Sequence, residues 1–180
     1  MNATATITVR LNPRRRTIEG SGVSMRVDIV ATDDAREVLV NLMQLYLYDL
    51  SEFTGEDLAA DGRYEYIYLK YYWREPNRHP FLFRVDGNPV GFGLVSNLDP
   101  GVYSMSEFFV MRKFRRAGLG QQAAITMFDK FSGTWHVAQE EENTVAQTFW
   151  RKVIGDYCNS QFSEGRSDQP AGPMQIFEST

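Results

Sequence analysis

The stretch from Val110 to Gln122 constrains this chain more than any other. An apolar, strand-like segment, Tyr103 to Met111, runs into Arg112-Lys113-Phe114-Arg115-Arg116 and then Ala117-Gly118-Leu119-Gly120. A segment with helical spacing follows, Leu119 to Ser132, with Gly133 placed to end it. A strand must therefore hand over to a helix through a basic, glycine-containing loop. The first N–H groups of a helix lack intrahelical partners and carry partial positive charge, and glycines let an anion approach the backbone closely. Arginines there add charge-assisted bonds, so the loop suits a phosphate.

The rest of the chain supplies the framework. Residues 1–24 carry Arg10, Arg14, Arg15 and Arg16 against Glu19 alone, broken by Pro13, Gly20 and Gly22, and read as a flexible extension. A single domain is expected over 25–180. Met25 to Ala31 alternates like a strand, and Thr32-Asp33-Asp34 offers N-cap chemistry. Ala35, Val38, Leu39, Leu42, Leu45 and Tyr46 then recur at helical spacing. Tyr64 to Trp73 fits helix spacing (64, 68, 71, 72) and strand alternation (64, 66, 68) about equally, with helix preferred. Phe81 to Val85 and Val90 to Ser96 flank Asp86-Gly87, a hairpin signal. Trp135 to Ala138 reads as a short buried strand. Asn143 opens an amphipathic helix through Ala146, Phe149, Trp150 and Val153, with Gly155 just past its end. Tyr157 to Phe162 and Met174 to Phe177 read as closing strands. The predicted fold is one α/β (α+β) domain: a mixed, largely antiparallel sheet of about six to seven strands flanked by about four helices.

Three phosphate-binding families use such loops. A P-loop needs Gly-Lys-Ser/Thr, whereas Gly120 precedes Gln121-Gln122. Gly118-Leu119-Gly120-Gln121-Gln122-Ala123 satisfies the dinucleotide fingerprint, with acidic Glu140 about 20 residues beyond Gly120. There, however, the glycines turn directly after the strand, and here a basic loop intervenes after what reads as an antiparallel hairpin. The third is the GNAT superfamily of N-acetyltransferases. Its Gln/Arg-x-x-Gly-x-Gly/Ala signature, after a strand ending in Val, resembles Val110 and Arg115-Arg116-Ala117-Gly118-Leu119-Gly120. Downstream, Asn143-x-x-Ala146-x-x-Phe149-Trp150-x-Lys152 is similar to the family's Asn-x-x-Ala-x-x-Leu-Tyr-x-Lys helix. The likeness spans roughly residues 103 to 155.

The resemblance implies acetyl-CoA as acyl donor and a primary amine, on a small molecule or a peptide, as acceptor in a ternary complex. It implies that the backbone of Phe109, Val110 and Met111 pairs with the pantetheine arm. The amides of Arg115, Arg116, Ala117, Gly118, Leu119, Gly120 and Gln121 would hold the pyrophosphate, and Asn143 would touch the cofactor, although Asn143 is also a good N-cap. An alkyl amine with a pKa of about 10 is mostly protonated at neutral pH, so transfer needs a base. Glu107, in an apolar neighbourhood on the same strand, is the candidate, as some family members carry a glutamate base there. The departure is Trp150, where many members place the tyrosine that protonates the leaving sulfur; an indole N–H cannot do this. Tyr157 is a possible substitute. By resemblance the acceptor site draws on Tyr46, Asp49, Glu52, Tyr72 and Trp73, whose faces and carboxylates suit a cation. A non-catalytic acyl-CoA-binding module is the rival reading.

Composition agrees with a small cationic acceptor. The net charge of −4 gives no general attraction to a polyanion, so nucleic acid is not expected as a partner. One cysteine, Cys158, and two histidines, His79 and His136, suggest no disulfide and no metal. No segment has the length of apolar sequence that a membrane span needs, and no apolar h-region follows Met1, so a cytoplasmic protein is expected. A homodimer is common in this fold.

Overall fold

The computed structural model describes residues 5–9, 23–29 and 33–179. Eight strands form one sheet: β1 (Ala5–Val9), β2 (Val23–Ile29), β3 (Arg78–Val85), β4 (Asn88–Asp99), β5 (Val102–Val110), β6 (Gly133–Ala138), β7 (Phe162–Asp168) and β8 (Ala171–Ser179). Their order across the sheet is β1-β2-β3-β4-β5-β6-β8-β7. Only β5 and β6 run parallel; every other neighbouring pair is antiparallel. Among the described residues three α-helices cover it, α1 (Asp33–Thr54), α2 (Leu119–Phe128) and α3 (Thr144–Tyr157). The α/β fold class is as the sequence implies, with one strand more and one helix fewer among the described residues than expected.

α1 buries one stripe, Leu39, Leu42, Met43 and Leu47, against Leu82, Phe92, Leu94 and Phe109 of the sheet. The opposite face packs Phe81, Phe83, Val95, Met105 and Val110 against Ala123, Ala124 and Met127 of α2 and Trp150, Val153 and Ile154 of α3. The β3–β4 hairpin turns through Asp86 and Gly87, both at positive φ (49° and 80°), as the Asp-Gly signal requires.

Several local expectations shift. Within 1–24, residues 5–9 and 23–24 lie in β1 and β2, while 1–4 and 10–22 lie outside the described residues, as does Thr32. Tyr64 to Trp73 is loop in its first half and a 3-10 helix, Leu69–Trp73, in its second. His79, which its place before Pro80 suggests is a loop residue, belongs to β3. α3 runs through Gly155 to Tyr157, because a single glycine costs only about 1 kcal/mol while Val153 and Ile154 are buried.

Two features of β5 position the site. Its pairing with β4 shifts from Leu94↔Glu107 to Val95↔Met105, leaving Ser106 as an extra, bulged residue. Met105 therefore packs towards α2, while Glu107 and Phe109 face α1. Second, β5 pairs with β6 only at Val102, Tyr103 and Ser104, so the two parallel strands separate beyond that point.

Candidate functional site

A cleft of about 800 Å³ opens where β5 and β6 separate. Phe108, Phe109 and Val110 form its strand wall and Phe149, Trp150 and Val153 its α3 wall. Arg112, Arg115, Arg116 and Lys152 supply positive charge, and Tyr46, Asp49, Leu50, Glu52 and Phe53 come from α1. Gly118, Gly120, Gln121 and Asn143 also line it. Of the residues assigned to the cofactor by sequence, Met111, Ala117 and Leu119 are not in the lining, and Leu119 is 3% exposed in the core beneath the loop.

The loop takes its shape from Arg116 and Gly118, both left-handed at φ 61° and 82°, with Gly118 as the N-cap of α2. The first bond of the helix runs from Gln122 N to Gly118 O, 3.1 Å, which frees the amides of the preceding turn for an anion. Gly120 faces the cleft, where a Cβ would stand 3.3 Å from the Phe149 ring and 3.7 Å from Val110 Cγ2. Asp49 holds two of the arginines: Arg112 Nη2 at 2.9 Å and Arg115 Nη2 at 2.5 Å. Arg115 Nε also donates to the Val110 carbonyl at 2.6 Å. The residue expected at the cofactor and the one expected at the acceptor, Arg115 and Asp49, are thus ion-paired, which orients the exposed guanidinium along the cleft. Asn143 Oδ1 accepts from Ala146 N at 3.0 Å, so it caps α3 as well as lining the cleft.

Glu107 is half-buried, and each of its oxygens takes a phenol: Tyr46 donates to Oε2, and Tyr66 to Oε1 at 2.7 Å. Burial pushes its carboxyl up to about 7, against the two hydrogen bonds, which favour the anion; the charges of Glu140 and Glu56 add to the rise. Burial, then the Glu107 charge and hydrogen bond, push both phenols far above their ordinary value. Glu140 is itself raised, by burial and then by Glu56. Tyr46 lines the cleft and the carboxylate stands behind it.

Tyr66 was not among the residues singled out from the sequence. It reaches Glu107 because Gln44 of α1 pins the loop: Gln44 Nε2 donates to Tyr64 O at 3.0 Å and accepts from Tyr64 N at 2.9 Å through Oε1. Replacing Gln44 with alanine leaves both Tyr64 backbone groups without these partners. It is expected to cost about 1–3 kcal/mol, lowering Tm by several degrees and speeding hydrogen exchange over residues 55–68. Unchanged exchange there would show that Gln44 does not hold the loop.

Two acceptor residues named from sequence lie elsewhere. Tyr72 is 3% exposed, its hydroxyl 3.3 Å from Ser96 Oγ, and Trp73 packs on the α1 core with Arg36 over its ring at 5.7 Å. Tyr157 donates to Asp129 at 3.0 Å and packs on Phe128 and Phe177, outside the cleft lining; burial, then Asp129, push its hydroxyl up to about 12. Among the described residues no group of three or more His, Cys, Asp or Glu could hold a metal ion, and no helix is long and apolar enough to cross a membrane.

A family model described as the acetyltransferase (GNAT) family matches residues 42–155. The fold resembles an acetyltransferase from Thermus thermophilus, with a TM-score of 0.61 and 15% identity over 84% of this chain and 96% of that one. It also resembles a GNAT-family acetyltransferase from Staphylococcus aureus, with a TM-score of 0.60 and 14% identity over 86% and 99%. A putative acyl-CoA N-acyltransferase from Klebsiella pneumoniae follows, with a TM-score of 0.57 and 11% identity over 87% and 98%. At such identities the likeness speaks for the fold alone. No curated protein matches the chain by sequence.

Proposed function

This chain belongs to the acetyltransferase (GNAT) family, and from that premise we propose that it moves an acetyl group from acetyl-CoA to a primary amine of a small molecule or peptide. The observation that carries this reading is the joining, through the Tyr46 hydrogen bond, of a glycine-lined, arginine-rich cleft to the Glu107 carboxyl, which burial holds above the usual carboxylate range. Arg112, Arg115, Arg116 and the first turn of α2 suit the phosphates of the donor. The edge of β5 that β6 leaves unpaired suits an amide-bearing arm, with Phe108, Phe109 and Phe149 beside it. The donor supplies an acyl group on a thiol with a pKa of about 8.5 or a little above, which departs without strong assistance.

On this reading Glu107 accepts the proton of the incoming ammonium. A carboxyl titrating at about 7 is ionised enough to accept a proton and basic enough to drive the transfer. Glu52 and Tyr46 offer a charge and an aromatic face to the cation. The buried Trp150 at the position of the family's tyrosine favours a second reading, a binding module without turnover.

The test has two stages. Thermal shift with acetyl-CoA establishes donor binding, and free-thiol release is then followed over a panel of primary amines. Amine-dependent thiol release supports transfer, and donor binding without release on any amine selects the module. Gly120→Leu is expected to weaken acetyl-CoA binding about tenfold or more by filling the cleft beside Phe149, with the ligand-free Tm little changed. Undiminished affinity would remove the loop from the donor site.

A further inference from the structure

We propose that Tyr46 is the acid of this enzyme, returning to the departing sulfur the proton that Glu107 takes from the amine, so that the pair works as a closed relay. This rests on the reading of Glu107 as the base.

The geometry supplies three reasons. Tyr46 lines the same cleft as Phe108, Phe109 and Val110, and its hydroxyl is bonded directly to Glu107 Oε2. Trp150 has only an indole N–H, and Tyr157 is engaged with Asp129 away from the cleft. Tyr66, the other phenol on Glu107, lies on the far side, lining a separate hollow with Tyr64, Gln44 and Met43. Of the two phenols on the carboxylate, only Tyr46 faces the donor cleft.

The steps balance. Glu107 as carboxylate accepts a proton from the ammonium nitrogen, and the freed lone pair forms the N–C bond to the acyl carbon. As the C–S bond breaks, the electron pair goes to sulfur, and Tyr46 gives its phenolic proton to that sulfur. Protonated Glu107 then donates its proton to the Tyr46 oxygen, restoring phenol and carboxylate. The net movement is one proton from nitrogen to sulfur.

The electrostatics give this order. While Glu107 is ionised, its charge and hydrogen bond hold the Tyr46 proton in place, after burial the largest effects on that phenol. Once Glu107 carries the amine proton, both effects vanish and the hydrogen bond between the two groups can reverse. Tyr46 therefore becomes a better acid at the moment the thiolate leaves. The other charges that face the pair are Glu140 and Glu56.

The experiment compares Tyr46→Phe with Tyr66→Phe and Glu107→Gln. Each phenylalanine variant removes one hydrogen bond from Glu107, and Tyr46→Phe keeps the ring packed on Phe92 and Phe109. Tyr46→Phe is expected to lower kcat about 100-fold with KM for acetyl-CoA nearly unchanged, and Tyr66→Phe by less than about tenfold. A leaving-group readout accompanies this. The Tyr46→Phe loss is expected to shrink when the acetyl donor is a thioester of a more acidic thiol than CoA, since a weaker base leaves with less help, while the Tyr66→Phe loss stays the same. Equal kcat losses in the two phenylalanine variants, or a Tyr46→Phe loss that does not change with the leaving thiol, overturn the relay. Wild-type activity and pH profile in Glu107→Gln would instead overturn the base.

Discussion

Glu107→Gln is expected to lower kcat/KM by about 100- to 10,000-fold, the range over which a positioned general base contributes. Donor binding should survive, because Glu107 is not among the residues that line the cleft. In the wild type, kcat/KM should rise with pH as the carboxyl ionises around its raised value of about 7. In the variant that limb should disappear, leaving only the ionisation of the amine itself. A residual profile that still bends near 7 would show that another group carries the proton.

The same substitution has a consequence for stability that needs no substrate. Glu107 titrates at about 7 when folded and near its ordinary value of 4.5 when unfolded, so the folded chain holds this proton more tightly. The resulting penalty is absent below about 4.5 and complete above about 7, and wild-type stability should therefore fall as pH rises across that window. The fall is on the order of 3 kcal/mol at most. Glutamine does not ionise, and Tyr46 and Tyr66 can still exchange hydrogen bonds with its amide. Denaturant melts at about pH 5 and about pH 8 should show a larger drop for the wild type than for Glu107→Gln. Parallel drops would mean that burial does not hold the proton on Glu107.

The loop-and-helix half of the candidate site was legible as geometry because its parts are consecutive in the chain. A strand end, a basic loop, two glycines and a helix start occur within Val110 to Gln122, and local rules connect each to an anion. Asn143 was legible for the same reason, since an N-cap is read from its own helix. The half around Glu107 was less so. Tyr66 lies in a run that fits helical spacing at 64, 68, 71 and 72 and strand alternation at 64, 66 and 68 about equally, and the preferred helical pattern does not contain 66. Residues 64–68 are neither, because the Gln44 side chain supplies the backbone partners of Tyr64 from 20 residues away, and no periodicity reports a bond of that kind.

The bulge at Ser106 hid a second fact. Simple alternation along Tyr103 to Met111 places Met105, Glu107 and Phe109 on one face. The extra residue instead sends Met105 to the α2 face and Glu107 to the α1 face, within reach of both phenols. Tyr72 and Trp73 read as acceptor residues by resemblance, because aromatic faces suit a cation. Their burial against α1 and the sheet is a product of tertiary packing, which composition does not distinguish from a binding surface.

Gly91→Ala is expected to be the most destabilising small substitution next to the site. Gly91 pairs with Val110 where β4 meets β5, and a Cβ there would stand 2.1 Å from the Phe109 carbonyl oxygen and 3.0 Å from the Phe83 ring. The obstacle is backbone, so the clash is relieved only by moving the strands apart. At Gly93, by contrast, the nearest atom is the flexible Met127 Sδ at 2.6 Å, and at Gly165 nothing is closer than 3.8 Å. Overpacking usually costs about 1–3 kcal/mol, and a rigid partner places Gly91→Ala at or above the upper end. At about 2–4 °C per kcal/mol for a domain of this size, Tm should fall by about 6–12 °C. Gly93→Ala should fall less, and Gly165→Ala by no more than about 2 °C. The shift would also displace Phe109, which packs on the Tyr46 ring two residues from Glu107, so activity at a permissive temperature should drop together with stability. A Tm for Gly91→Ala matching that of Gly165→Ala would mean that the two strands carrying the site are not as tightly apposed as the structure has them.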